Sequence, residues 1–322
     1  MKRMLCLISH QLLPNFIPVN EEMTRPDVLH AIFTPSNPAM QERWESLKKV
    51  LSKQFPGLDF NEVKVNDAYD ASDIKQQCKS LLAAYPHDEW SLNMTGGTKL
   101  MSSPAVEVFH DVNLPIYYVE TERGGMLQIS GDWQVSFLPF ANSIDLQTYF
   151  ELYGRRTKVG NPQTGQEGDI VRRLEKLDWH VWHSVTLYKT DAHPATTGNQ
   201  LAEYDAIGIR FYQLSAFECK RLNVNKAAVH RGWVAEKALE RAKTDILLDL
   251  YKLSQIQKSF GGPFGKSYWI FSGKTELSEE NRERIREFGI ILIRGSEINQ
   301  IDKTPERFKL PRLKPIRSHS TQ

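Results

Sequence analysis

Apolar positions in the first 150 residues recur with two alternating periods. Met4 to Ile8 and Leu29 to Phe33 are short apolar runs, the pattern of strands buried on both faces. Met40 to Phe55 instead spaces Trp44, Leu47, Val50 and Leu51 along one helical face, and Ser72 to Tyr85 does the same with Ile74, Cys78, Leu81 and Leu82. Val63 to Val65, Trp90 to Met94 and Pro115 to Val119 supply further strands, and Lys99 to Phe109 a further helix. Strands alternating with helices predict a parallel sheet covered on both faces, a Rossmann-like α/β architecture. Glu122 to Gln134, with Gly124-Gly125, predicts a hairpin added at its edge.

The pattern then changes. Ser143 can cap a helix from Ile144 to Tyr153, and Arg155 to Pro162 reads as a polar connector, so a boundary is expected near residue 152, with domains 1–152 and 153–322. A helix opening at Gly165-Gln166-Glu167-Gly168 carries Ile170, Val171, Leu174 and Leu177; His180 to Leu187 reads as a strand. After a loop, Lys189 to Gly198, comes a hairpin turning near Phe211 to Gln213. Leu247 to Phe260 reads as a helix, Gly261 to Lys266 as a glycine loop, Tyr268 to Phe271 as a strand, Glu279 to Phe288 as a helix and Ile290 to Ile293 as a buried strand.

Composition bounds the function classes. The 322 residues are 40% hydrophobic and 25% charged, the balance of a globular protein with room for two cores. A net charge of +2 leaves nucleic-acid affinity to local patches. Two exist, Lys220 to Lys243 and the Pro-interleaved tail from Lys303 to Arg317; each reads equally as a phosphate-contacting stripe or a solubilising face. Cys6, Cys78 and Cys219 are too scattered for a disulfide framework or zinc site. The N-terminal apolar run stops at Ser9-His10-Gln11, short of a secretory h-region, and no stretch reaches the ~20 apolar residues of a membrane span. A cytoplasmic protein without membrane association is expected.

Candidate chemistry lies in three places. In the hairpin, Asp205 lies seven residues before Tyr212 and Glu218 six after it, which sets the two carboxylates roughly opposite each other. Cross-strand neighbours stand about 5 Å apart, and like charges there are destabilising unless bridged. Mg²⁺, with oxygen ligands at about 2.1 Å, is one such bridge. Lys220, two residues beyond Glu218, shares its strand face and could steady an attacking water or phosphate charge. A solvated face of alternating charges would carry the same Glu-x-Lys. The other two places follow strands of the first half, where α/β sheets bind ligands: Ser9 to Asn15, and Met94-Thr95-Gly96-Gly97-Thr98-Lys99, which leads into a helix. The glycines and the free helix N–H groups suit an anion, and a Thr-capped helix start after a tight turn would look the same. The spacing is neither GxxxxGK[S/T] nor GxGxxG. His180 and His183, three apart on a strand, face opposite ways, and with His193 and His230 they read as satisfied or surface histidines.

Ser9-x-Gln11-x-x-Pro14-Asn15 together with Asn93-x-Thr95-Gly96-Gly97-Thr98-Lys99 resembles the CARF sensor domains of CRISPR ancillary nucleases, and within them the branch fusing one CARF domain to one PD-(D/E)xK (restriction-endonuclease-like) domain. The resemblance implies a homodimer that binds cyclic oligoadenylate, usually cyclic tetra-adenylate, with Ser9, Gln11, Asn15, Thr95, Gly96, Gly97, Thr98 and Lys99 as ligand contacts. His10 departs from relatives and receives no role. A ring with two-fold pseudosymmetry suits the axis of a C2 dimer. The resemblance further makes Asp205 and Glu218 ligands of Mg²⁺ or Mn²⁺, the Cys219 carbonyl a further ligand, Lys220 the catalytic lysine and Glu167 the helix acid, with Glu175 its competitor. Ala202-Glu203-Tyr204-Asp205 keeps the Glu but not the Asn that relatives often carry before the Asp. The implied activity is cyclic-tetra-adenylate-activated, metal-dependent cleavage or nicking of DNA, or cleavage of single-stranded RNA. Two alternatives stand beside it: a sensor that binds nucleic acid without cutting, and a ring nuclease that degrades its own ligand.

Overall fold

The computed structural model describes residues 1–34, 36–161, 164–189, 200–222, 233–261, 265–273 and 277–310, with the backbone alone for 221–222, 233–244 and 273. The chain divides into two compact units, Met1–Arg156 and Thr157–Gln322.

In the first unit the strands are β1 (Lys2–Leu7), β2 (Val28–Phe33), β3 (Asp59–Lys64), β4 (Glu89–Asn93), β5 (Ile116–Glu120), β6 (Gly125–Ser130) and β7 (Gln134–Pro139). They form one sheet in the order β3-β2-β1-β4-β5-β6-β7, with β1 to β5 parallel and β6 and β7 antiparallel additions. The apolar runs of β1 and β2 are buried along nearly their whole length, as strands covered on both faces must be. The helices are α1 (Leu13–Asn20), α2 (Pro38–Gln54), α3 (Ala71–Ala84), α4 (Lys99–Asp111) and α5 (Leu146–Glu151). Side-chain caps start four of them: Asn37 accepts from Ala39 N–H, Asp70 from Ser72 and Asp73, Thr98 from Met101, and Asp145 from Thr148. The cap of α5 is thus Asp145 rather than Ser143.

Helix α1 begins inside the candidate stretch Ser9 to Asn15. It hides behind Pro14 and Pro18, but Pro14 falls at its first turn, where proline costs nothing, and Leu13, Phe16, Ile17 and Val19 are all buried.

The second unit starts its sheet where a polar connector was expected, with β8 (Arg155–Val159). Helix α6 (Gly165–Glu175), β9 (His180–Lys189), β10 (Gln200–Arg210), β11 (Gln213–Leu222), α7 (Trp233–Ile256), β12 (Lys266–Gly273), α8 (Glu279–Glu287) and β13 (Ile291–Arg294) follow. The order is β13-β12-β11-β10-β9-β8, antiparallel through β9, β10 and β11, and parallel from β11 to β13. Helix α7 begins at Trp233, well before the expected Leu247. Residues 190–199 and 223–232, with His193 and His230, lie outside the described residues, as do much of the glycine loop and the tail beyond 310. The core packs Ile170, Val171 and Leu174 of α6 against Ala206, Phe217, Tyr268 and Ile270 of the sheet. Among the described residues no helix is long and apolar enough to cross a membrane.

Two features of the first unit yield measurable expectations. His30 is 1% exposed, with Nε2 3.1 Å from Arg3 Nη1. Because the guanidinium only donates, Nε2 accepts and the proton sits on Nδ1. Burial, aided by the Arg3 charge, pushes the imidazole down to about 4. A depressed histidine stabilises the fold above its ordinary value of 6.5 and loses that contribution as pH falls toward 4. Urea midpoints should therefore drop over this window, and His30→Phe should flatten that part of the profile. Separately, a Cβ on Gly96 would lie 1.9 Å from the Leu7 carbonyl oxygen, a backbone atom that cannot swing aside. Gly96→Ala should lower stability by about 1–3 kcal/mol in urea unfolding.

Candidate functional site

The strand order of the first unit reverses direction between β1 and β4, and the loops after these two strands meet there, at the topological switch point where open α/β sheets bind ligands. An amide network ties them together. Asn15, fully buried, donates to the Leu7 carbonyl at 3.0 Å; Asn93 donates to the Pro14 carbonyl at 2.9 Å and to Asn15 Oδ1 at 3.1 Å. Asn93 Oδ1 accepts from Thr95 N–H, and the Thr95 hydroxyl accepts from Val119 N–H at 2.8 Å. Ser9 Oγ donates to the Gln11 carbonyl, and the Gln11 side chain accepts from Tyr153 OH at 3.1 Å. Gly97, at φ +71°, holds the left-handed turn before Thr98 caps α4, and Lys99 is exposed.

The expected ligand residues therefore divide. Ser9, Gly97 and Thr98 line a cavity of about 490 Å³ over the carboxyl ends of the strands, whereas Asn15 and Thr95 spend their polar groups on holding the loops. His10 lines the cavity too, as do Asn37 after β2 and Asn66, Asp67 and Tyr69 after β3. Sequence reading passed over these last four, although their position after parallel strands was the available signal.

The second cluster lies in the β10–β11 hairpin. The pairs Ala206↔Phe217 through Arg210↔Gln213 fix its register, and Asp205 and Glu218 are the residues immediately beyond the last of these pairs on the two strands. The two-residue turn is Phe211-Tyr212, both at positive φ (46° and 63°), the geometry of a tight hairpin without its usual Asn-Gly. Asp205 Oδ2 accepts from Cys219 N–H at 2.6 Å. Glu218 is 8% exposed, and burial, with help from Asp205 and Asp249, pushes its carboxyl up to about 8 against the pull of Lys252. Burial likewise raises Asp205, eased by the Cys219 N–H and Lys252. Glu167, in the first turn of α6, is raised by burial and by Asp205, which brings it to the same cluster; Glu175 is exposed. Burial and the nearby acids also raise the Cys219 thiol.

Helix α7 adds two residues that sequence reading missed. Lys252 Nζ lies 2.6 Å from Glu218 Oε2, and Lys220 Nζ lies 3.3 Å from Asp249 Oδ2. Their i,i+3 spacing was visible, but nothing in the sequence said which strand they would face.

Among the described residues no three His, Cys, Asp or Glu side chains form a metal-holding group. Asp205 and Glu218 supply two hard oxygen donors, whose affinity for protons is raised chiefly by burial, even with the Lys252 ammonium beside them. That donor set fits Mg²⁺ or Mn²⁺, which complete their shells with water and phosphate oxygens.

Residues 4–149 match the family model of the Card1 CARF domain. No curated protein matches the chain. Among solved structures, Can2 from Sulfobacillus thermosulfidooxidans in complex with cyclic tetra-adenylate is similar at TM-score 0.69 and 16% identity, covering 96% of this chain and 99% of that one. Protein VC1899 from Vibrio cholerae is similar at TM-score 0.69 and 14% identity, covering 96% and 98%. A type III CRISPR defence DNA nuclease activated by cyclic oligoadenylate is similar at TM-score 0.59 and 13% identity, covering 96% of this chain and 52% of that one. At these identities the likeness is one of fold, and it extends through both units. The family match is confined to residues 4–149 and describes the first unit alone.

Proposed function

We propose that this protein is a cyclic-oligoadenylate-activated, metal-dependent nuclease of type III CRISPR defence, with residues 1–152 as sensor and 153–322 as a PD-(D/E)xK nuclease. The observation that carries the reading is the place of half-buried Asp205 and buried Glu218 immediately beyond the last pair of the hairpin, with Lys220 two residues on. It is supported by the CARF match and by the cyclic tetra-adenylate named for Can2.

Asp205 and Glu218 hold Mg²⁺ or Mn²⁺, and the Cys219 carbonyl is available as a further oxygen ligand. The bound ion supplies a polarised phosphate and an activated water. Lys220 orients the nucleophile, and Glu167 shares the charge of the cluster. In the sensor, Ser9, Gly97, Thr98 and the N-terminus of α4 face the phosphates of the ring, with Lys99 at its rim, while Gln11, Asn15, Thr95 and Gly96 fix the loops. Cyclic tetra-adenylate on the axis of a cytoplasmic homodimer meets two copies of each loop. DNA and single-stranded RNA both present the phosphodiester that this chemistry requires.

Nicking of supercoiled DNA and cutting of labelled single-stranded RNA, with and without cyclic tetra-adenylate and Mn²⁺, test the reading. Cleavage should need both additions, and Glu218→Gln or Lys220→Ala should reduce it by about 10²-fold or more. Binding of nucleic acid without EDTA-sensitive cleavage would mark a sensor that does not cut. Metal-independent linearisation of the ring, followed by chromatography, would mark a ring nuclease.

A further inference from the structure

The two ion pairs between α7 and β11 are crossed. Glu218 and Lys220 share one face of the strand, Asp249 and Lys252 one face of the helix, and each acid meets the other element's lysine. Among the described residues, Lys252 is the cation that reaches Glu218, at 2.6 Å from Oε2. A divalent ion ligated by the same oxygen would stand about 2.1 Å away. An ammonium and a divalent cation cannot both hold that position, because their mutual repulsion at such a separation opposes the attraction each has for the carboxylate.

The surroundings give the ammonium somewhere to go. Lys252 keeps 22% of its side chain exposed, twice that of Glu218. Its Nζ stands 5.3 Å from the centre of the Tyr204 ring, whose face attracts a cation. The Tyr204 hydroxyl donates to the Lys252 carbonyl at 3.4 Å, which fixes the backbone while the four-carbon stem swings. Lys220, held by Asp249 at 3.3 Å, is not drawn onto Glu218 and is kept for the substrate.

We infer that Lys252 is a resident counter-ion of the nuclease site, so that metal binding at Glu218 is an exchange in which Lys252 is displaced. The inference rests on the reading of Asp205 and Glu218 as cation ligands. It makes Lys252 a positioning residue that sets metal affinity and offsets the repulsion among the carboxylates when no metal is bound. It also implies that any movement of α7 relative to β11 changes how much metal the site demands.

The test is Mn²⁺ binding by the full-length chain, read from the electron paramagnetic resonance signal of free Mn²⁺ and from the thermal unfolding midpoint during titration. Wild type, Lys252→Met, Lys252→Gln and Lys252→Arg are compared, with Glu218→Gln identifying the site. Lys252→Met should bind Mn²⁺ about tenfold tighter or more, and Lys252→Arg should stay within about threefold of wild type. The metal-free Lys252→Met protein should melt lower than wild type and gain more from Mn²⁺. Lys252→Gln gives the same comparison should the methionine variant not fold. Equal or weaker Mn²⁺ affinity in a folded neutral variant would overturn the exchange and leave the cation site standing. If no variant binds Mn²⁺ in a Glu218-dependent way, the cation site falls and the exchange with it.

Discussion

Two neighbouring carboxylates at the end of the paired hairpin, one buried and one half-buried, set the terms for the second unit. Asp205 and Glu218 repel, and two elements beside them offset part of that repulsion. The backbone of β11 contributes the Cys219 N–H, and α7 contributes an ammonium. Removal of either carboxylate alone would leave those partners over-supplied. The charges are therefore best understood as one network, whose members cannot be exchanged independently.

The first unit solves a different problem, that of bringing two loops from strands adjacent in space but far apart in sequence to one place. Reversal of the winding direction between β1 and β4 opens a crevice at the carboxyl ends of these strands. Gly96 lets the second loop pass against the Leu7 carbonyl, where any side chain would collide. The cavity beside it gathers polar groups from the loops after β2 and β3 as well, so it presents amides and a tyrosine in addition to the helix start. Such a surface combines an anion-friendly end with groups able to meet flat, hydrogen-bonding rings.

Much of this was legible in the sequence, and the exceptions have physical causes. Alternating apolar runs and helical faces announced the parallel sheet because β1 and β2 are buried on both sides. The β10–β11 hairpin could be set from the spacing of Asp205 and Glu218 alone, although its Phe211-Tyr212 turn carries none of the usual glycine or asparagine signals; packing holds it, since Tyr212 is 1% exposed. Helix α1 was concealed by two prolines: Pro14 falls in the first turn, where its missing N–H leaves no bond unmade, whereas Pro18 lies inside the helix, a position that argues against a helix in any sequence reading. Strand β8 was concealed by its charges, which suit an edge strand with three of its five residues exposed. Asp249 and Lys252 could not be found from sequence because their role depends on which strand α7 lies against, a tertiary fact with no local signature. Asn15 and Thr95 matched a motif, yet the motif does not distinguish a group that touches a ligand from one that holds the loop behind it.

The hydrogen bond between Asn15 and Asn93 has a mechanical consequence. Each amide is committed to the backbone of its neighbour's loop or its own strand, so the segments after β1 and β4 share one set of fasteners. Neither can shift without breaking buried polar contacts in the other. The mouth of the crevice is therefore a single stiff bracket, ordered before any ligand arrives, and whatever docks there spends little of its affinity on arranging it.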